Sequence, residues 1–265
     1  MNKIEMEMLD LLKMLKNEHG ALSVKAEFEA EGTRTDELLR LVDLARRADL
    51  KVALKIGGCE AVRDLMESKQ FGVEYIIAPM VETPYALSKF ISAKNTVYSQ
   101  EQQLYTDFLF NLETGTTLEN LDQMLELATQ EKQLQGVVFG RVDFTASIGK
   151  SRGDINTVEV TDFVVDAAKK TKSKQLDFVV GGGVAIESLD ELARVEKIHL
   201  SRFETRKVVF TGVEVDKKSI QEGLKSTVYF ELLWLKNKQK YYSDISLEDA
   251  SRIKMLDARW GQLSN

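Results

Sequence analysis

Eight short runs rich in β-branched and aromatic residues alternate with amphipathic stretches, and this alternation limits the folds open to the chain more than any other feature. The runs are "ALSVKAEFEA", "KVALKIGG", "VEYIIAP", "DFLFNLE", "QGVVFGRVDF", "LDFVVGGG", "KIHLSRF" and "RKVVFTGV". Between them, segments such as "DELLRLVDLARRADL", "TLENLDQMLELATQ" and "EVTDFVVDAAKK" place apolar residues three and four apart, the helical period. Strands separated by helices run parallel through right-handed crossovers. Eight of them predict an α/β chain closed into a (β/α)8 TIM barrel, ahead of a doubly wound open sheet. The open sheet lacks its usual marker, because no G-x-G-x-x-G follows the first strand and "GGGVAIES" is late and too compact. "MEMLDLLKMLKN" predicts an extra helix within residues 1–20, and residues from about 217 to 265 read as a helical tail.

No Gly/Ser-rich linker and no shift of composition divides the chain, so one barrel domain over residues 1–265 is expected. A formal charge of -6 argues against nucleic acid as a partner. No apolar run reaches membrane-spanning length. The N-terminus alternates acids with apolar residues, unlike a signal peptide, and Cys59 is the single cysteine, so a cytoplasmic protein without an internal disulfide is expected. In the tail, Val228, Phe230, Leu232 and Trp234 form an apolar set suited to a subunit contact, and a homo-oligomer is expected.

Barrels of this kind carry reactive groups at the carboxyl ends of their strands. Side-chain alternation points Lys25, Glu27 and Glu29 of the first run toward the axis, and Lys55 of the second. It does the same for Asn111 and Glu113, and for Arg141 and Asp143, the latter set against Val138, Gly140 and Val142. Ions buried together must be paired, hydrated or bound to a metal. An ion-pair network bracing the barrel is one reading, and for Glu113 alone a helix-start acid is another.

"FNLETG" around Glu113, "GRVDFTASIG" around Asp143 and "YIIAPMVETPYALSKFISA" together resemble the HpcH/HpaI aldolase/citrate lyase β-subunit family of the phosphoenolpyruvate/pyruvate barrels. The resemblance runs from about Val24 to about Ile155. It implies a divalent-metal aldolase or lyase that cleaves or forms a C–C bond next to a 2-oxo acid, with Glu113 and Asp143 holding the ion. Two carboxylates with open positions suit Mg2+ or Mn2+. Such an ion chelates the oxo acid and acts as a Lewis acid. The family's Arg after the second strand reads Lys55 here, leaving Arg141 to supply a bidentate fork for the substrate carboxylate.

The family's catalytic His falls at Gly32. His19 and His199 take no role by position, so proton transfer falls to Glu27, Glu29, Glu31 or a metal-bound water, with Glu29 and Glu27 first because they point inward and crowding among carboxylates raises one pKa. "SRGDIN" reads as a loop and helix start. In "HLSRFETRK", Arg202, Glu204 and Arg206 sit at the seventh strand's end, as a receiver for an anionic substrate tail or as a solvated ion-pair loop. Two other functions stay open: a lyase acting on a CoA thioester of the malyl type, and a non-catalytic barrel that binds a metabolite or partner.

Overall fold

The computed structural model describes residues 1–212 and 217–263. Its strands form a closed barrel in chain order: β1 Ala21–Glu27, β2 Lys51–Lys55, β3 Tyr75–Ala78, β4 Asp107–Leu112, β5 Gly136–Gly140, β6 Asp177–Gly181, β7 Arg202–Glu204 and β8 Val208–Thr211. The helices are α1 Lys3–His19, α2 Thr35–Arg47, α3 Val62–Phe71, α4 Pro84–Val97, α5 Gly115–Glu119, α6 Leu121–Thr129, α7 Arg141–Ser147, α8 Val158–Ser173, α9 Leu189–Glu196 and α10 Lys217–Leu263. The expected (β/α)8 architecture with an N-terminal helix and a helical tail is present, although the last two tail residues lie outside the described ones.

Local chemistry explains where the helices begin and end. The Asn2 side chain accepts from the Glu5 N–H while Glu5 accepts from the Asn2 N–H, a capping box that starts α1. Gly20 stops α1 with a left-handed φ of 73°. Thr83 caps α4, and Pro84 occupies its first turn, where a missing N–H costs nothing.

Strand alternation sorts the core into two layers. Val24, Val52, Ile76, Phe110, Phe139 and Phe178 face outward and are buried beneath the helices. Ala53, Ile77, Leu109, Val138, Val179 and Val209 face inward and fill the barrel as a separate apolar plug. Beyond the plug, toward the carboxyl ends, the same inward parity turns polar at Glu27, Lys55 and Asn111. The plug excludes water from below, so these groups meet solvent only through the mouth.

One expectation about the sheet is corrected. The strands β1 to β7 pair in parallel, but β8 is antiparallel to both β7 and β1. Only Thr205, Arg206 and Lys207 separate β7 from β8. A parallel return needs a crossover of a dozen or more residues, so a linker this short permits only a hairpin. Thr205 closes the turn, its N–H donating to Val208 O at 2.9 Å. The chain therefore descends along β8, and α10 rises beside α1 in the opposite sense. Ser219 donates to Glu18 O, Tyr229 to Glu7, and Asn2 to Asn237.

The apolar set proposed for the tail divides in two. Phe230 and Trp234 are buried on the barrel's own side, while Val228 and Leu232 are exposed. From residue 243 to 263 every position of α10 is exposed. Among the described residues no helix is long and apolar enough to cross a membrane.

Candidate active site

At the carboxyl ends of the strands a cavity of about 1070 Å3 opens, and its floor is ionic. Glu113 follows β4 and is 1% exposed. Both of its oxygens are engaged: Oε2 accepts from Asn111 Nδ2 at 2.6 Å and from Lys55 Nζ at 3.2 Å, and Oε1 from the Met80 N–H at 2.7 Å. Met80 holds a left-handed φ of 49°, which a side chain with a Cβ adopts at a cost. That backbone turn aims its N–H at the carboxylate. Gly140 makes room on the other side, because a Cβ there would lie 3.0 Å from Glu113 Cβ and 3.1 Å from Oε2.

Lys55 bridges two acids, with Glu29 Oε2 at 3.3 Å and Glu113 Oε2 at 3.2 Å. Burial works against its ammonium, but Glu113 and Glu29 outweigh that and raise its pKa. Deeper in the barrel, Lys25 lies 2.9 Å from Glu27 and 2.5 Å from Glu204. Burial opposes this ammonium too, yet Glu204 and Glu27 hold its pKa well above the usual lysine range. The same contact outweighs the burial of Glu27 and lowers its pKa.

Asp143 reaches the cavity from the first turn of α7. It makes no hydrogen bond or ion pair with a described residue. Its pKa is raised, first by loss of water against the cavity wall and then by the charge of Glu113, with Lys55 opposing. The carboxylate whose pKa rises is therefore Asp143, through burial more than through crowding, whereas Glu27, one of the two candidates for a raised pKa, moves the other way.

The structure brings Glu27, Glu29, Lys55, Glu113 and Asp143 into one cavity but does not bring Arg141 there. Along β5, which ends at Gly140, Val138 and Gly140 face inward, so the expected parity is off by one and alternation itself turns Arg141 away from the axis. Arg141 instead starts α7, and its guanidinium is 2.9 Å from Asn156 Oδ1, 3.1 Å from Ser188 Oγ and 3.3 Å from Gly181 O. Burial lowers its pKa to about 10. It ties the start of α7 to the loop after β6, where Gly182, at a φ of 78°, passes so close that a Cβ would lie 2.6 Å from Arg141 N.

Arg202 likewise sits a layer below the site, paired with Asp177 at 2.8 Å and lying over the Tyr75 ring. His19 contacts Ser219 and His199 contacts Leu176 O, both away from the cavity. Sequence spacing did not single out Arg152, which lines the cavity, or Glu204 as the partner of Lys25. Alternation along β7 carries a signal for Glu204. No linear signal exists for Arg152, which the packing of a loop brings to the rim.

Comparison with known proteins places the fold and the family. Residues 4–204 match the model of the HpcH/HpaI aldolase/citrate lyase family. No curated protein sequence matches the chain. Among solved structures, citrate synthase SbnG superposes with a TM-score of 0.58 at 15% identity, covering 88% of this chain and 98% of that one. A HpcH/HpaI aldolase/citrate lyase family protein from Burkholderia cenocepacia J2315 gives 0.55 at 10% identity, covering 72% and 90%. RipC from Yersinia pestis gives 0.51 at 14% identity, covering 79% and 87%. At such identities the structural likeness speaks for the fold, and the family match over residues 4–204 carries the assignment: this chain belongs to the HpcH/HpaI aldolase/citrate lyase family.

Proposed function

We propose that this barrel is a divalent-metal-dependent carbon–carbon lyase of the aldolase type, acting next to the carbonyl of a 2-oxo acid. The observation that carries the reading is the excess of carboxylate lining the cavity. Seven acids line the cavity against five cations, and a substrate with its own carboxylate would be repelled unless further positive charge were present.

The donor chemistry fits a hard divalent cation such as Mg2+ or Mn2+. Asn111 Oδ1 is a buried acceptor without a partner, beside Glu113. Asp143 is an acid without a described partner, and burial first, then the charge of Glu113, raises its pKa. Among the described residues no three His, Cys, Asp or Glu side chains form a closed metal site. Glu113 and Asp143 would hold the ion and leave positions open for water and substrate oxygens. When bound, the ion supplies Lewis acidity toward the substrate's keto oxygen.

The chain's own residues have separate tasks. Lys55 stays protonated and meets the substrate carboxylate as a point charge. Glu29 is the candidate for moving the proton, because its side chain is 30% exposed and, among the described residues, ion-pairs with Lys55 alone. Glu27 is engaged with Lys25 and serves to fix that lysine. Arg141 positions the start of α7, and through it Asp143. The apolar plug beneath keeps bulk water out.

Deuterium exchange tests the reading without knowledge of the second substrate. With Mg2+ present, the protein should accelerate loss of the pyruvate methyl protons in D2O, followed by NMR. Glu113→Ala should remove the acceleration. Exchange no faster than in buffer with Mg2+ alone would sink the proposal.

A further inference from the structure

The loop between β1 and α2, which carries Glu29, is held by its backbone only at its two ends. The Phe28 N–H donates to Lys55 O at 2.8 Å and the Thr33 N–H to Glu27 O at 3.2 Å. Between them, Glu29, Ala30, Glu31 and Gly32 make no backbone–backbone hydrogen bond among the described residues, and Gly32 turns the chain with a φ of 55°. What fastens the middle of the loop is one side chain. Glu31 Oε2 lies 2.5 Å from Lys207 Nζ and 3.4 Å from Thr33 Oγ1, and Glu31 Oε1 lies 3.9 Å from Arg206 Nε.

Lys207 is itself rigidly placed. It lies in the hairpin between β7 and β8, and its carbonyl accepts from the Lys25 N–H at 2.8 Å, which ties the hairpin to β1. Its side chain is 4% exposed, and the ammonium lies over the Trp234 ring of α10, 5.5 Å from the ring centre. An ion pair withdrawn from water keeps its geometry, because either charge left alone would be poorly solvated. An exposed pair carries no such constraint. Glu29 is the opposite case: its side chain is part-exposed and ion-pairs with Lys55 alone among the described residues, so the loop backbone decides where it stands. Lys207 and Trp234 both lie beyond residue 204, where the family match ends, and neither Lys207 nor Glu31 is among the residues that line the cavity. We infer that Lys207 is a positioning residue for the reaction: through Glu31 it fixes the loop after β1, and so sets the Glu29 carboxylate beside Lys55, with α10 bracing it through Trp234. The inference rests on the reading of Glu29 as the group that moves the proton.

Two measurements on the full chain test it: backbone amide exchange, and exchange of the pyruvate methyl protons in D2O with Mg2+. Lys207→Met should speed amide exchange at Phe28 and Thr33, the hydrogen-bonded ends of the loop. It should also lower the methyl-exchange rate at saturating pyruvate about tenfold, within the range that misplacing a catalytic group produces. Glu31→Gln should do the same, and the double variant no more than either single one, because both break one contact. Lys207→Arg, which keeps the charge, should leave both readouts near those of the parent. In a Glu29→Gln background Lys207→Met should lower the rate no further, a result that a general loss of stability would not give. Glu31→Gln carries the test by itself if Lys207→Met does not fold. Unchanged amide exchange, or an equal further loss of rate in the Glu29→Gln background, would overturn the inference. The amide measurement needs no substrate. Faster amide exchange in a protein whose Glu29→Gln variant keeps the parent rate would therefore retain Lys207 as the holder of the loop and remove the proton-transfer reading of Glu29.

Discussion

Lys55 Nζ lies 3.2 Å from Glu113 Oε2 in a buried pair that joins the end of β2 to the end of β4. The same carboxylate is the proposed metal ligand, so the ammonium and the ion compete for it. Glu113→Ala and Asp143→Ala should each abolish Mn2+ binding in calorimetry while the far-UV circular dichroism stays unchanged. Lys55→Met should tighten Mn2+ binding by roughly tenfold, about 1.4 kcal/mol, by removing the competitor. A parent-like Kd in either alanine variant refutes the ligand assignment, and weaker binding in Lys55→Met refutes the competition.

Neither floor lysine should form an imine. Glu113 and Glu29 outweigh burial and raise the pKa of Lys55, and Glu204 with Glu27 does so more strongly for Lys25. A protonated amine is no nucleophile. Incubation with pyruvate and borohydride should leave the intact mass unchanged, and a pyruvyl adduct on Lys55 or Lys25 would place the protein among imine-forming aldolases.

Glu29→Gln should lower kcat about a hundredfold, the usual scale for a general acid–base group, with Mn2+ affinity changed little. Glu27→Gln should act differently, lowering stability more than kcat, because Glu27 is committed to Lys25 at 2.9 Å. Steady-state kinetics and thermal unfolding of the two variants separate these roles. Equal kcat losses in both would count against Glu29 as the distinct proton-transfer group.

Lys25→Met leaves Glu27 and Glu204 buried without a counter-ion, and should cost about 3–5 kcal/mol at neutral pH. Lys25→Met with Glu204→Gln should recover part of that loss. The pH dependence has a fixed sign. Glu27 has a lowered folded pKa, so its contribution is present above the unfolded value, near 4.3, and is lost as pH falls through the folded one. Lys25 has a raised folded pKa, so its contribution persists up to the unfolded value, near 10.4, and is lost as pH rises beyond. The gap in stability between parent and Lys25→Met should therefore be widest between these limits and narrow below about pH 4. Urea unfolding across that range checks it, and a gap independent of pH would show the pair to be energetically silent.

The sequence by itself determined the barrel, because burial imposes two periods that a linear pattern displays. A period of two placed Lys25, Glu27, Lys55, Asn111 and Glu113 on the axis, and a period of three to four marked the helices around them. The family resemblance rested on the motifs at Glu113 and Asp143, where the structure gathers the floor of the cavity. Tertiary structure decided what local periodicity does not contain. The three residues between β7 and β8 forced a hairpin, which turned β8 antiparallel and set Arg206 at the mouth. On β5 the inward residues are Val138 and Gly140, opposite to the expected parity, so Arg141 turned into the wall while Asp143 entered the cavity from the helix that follows. The partner of Lys25 is Glu204, distant along the chain and adjacent only once the barrel closes. Arg152 reached the rim through loop packing. Which acid is raised and which lowered followed from these same long-range neighbours, since a pKa responds to charges and solvent in space and not to position along the chain.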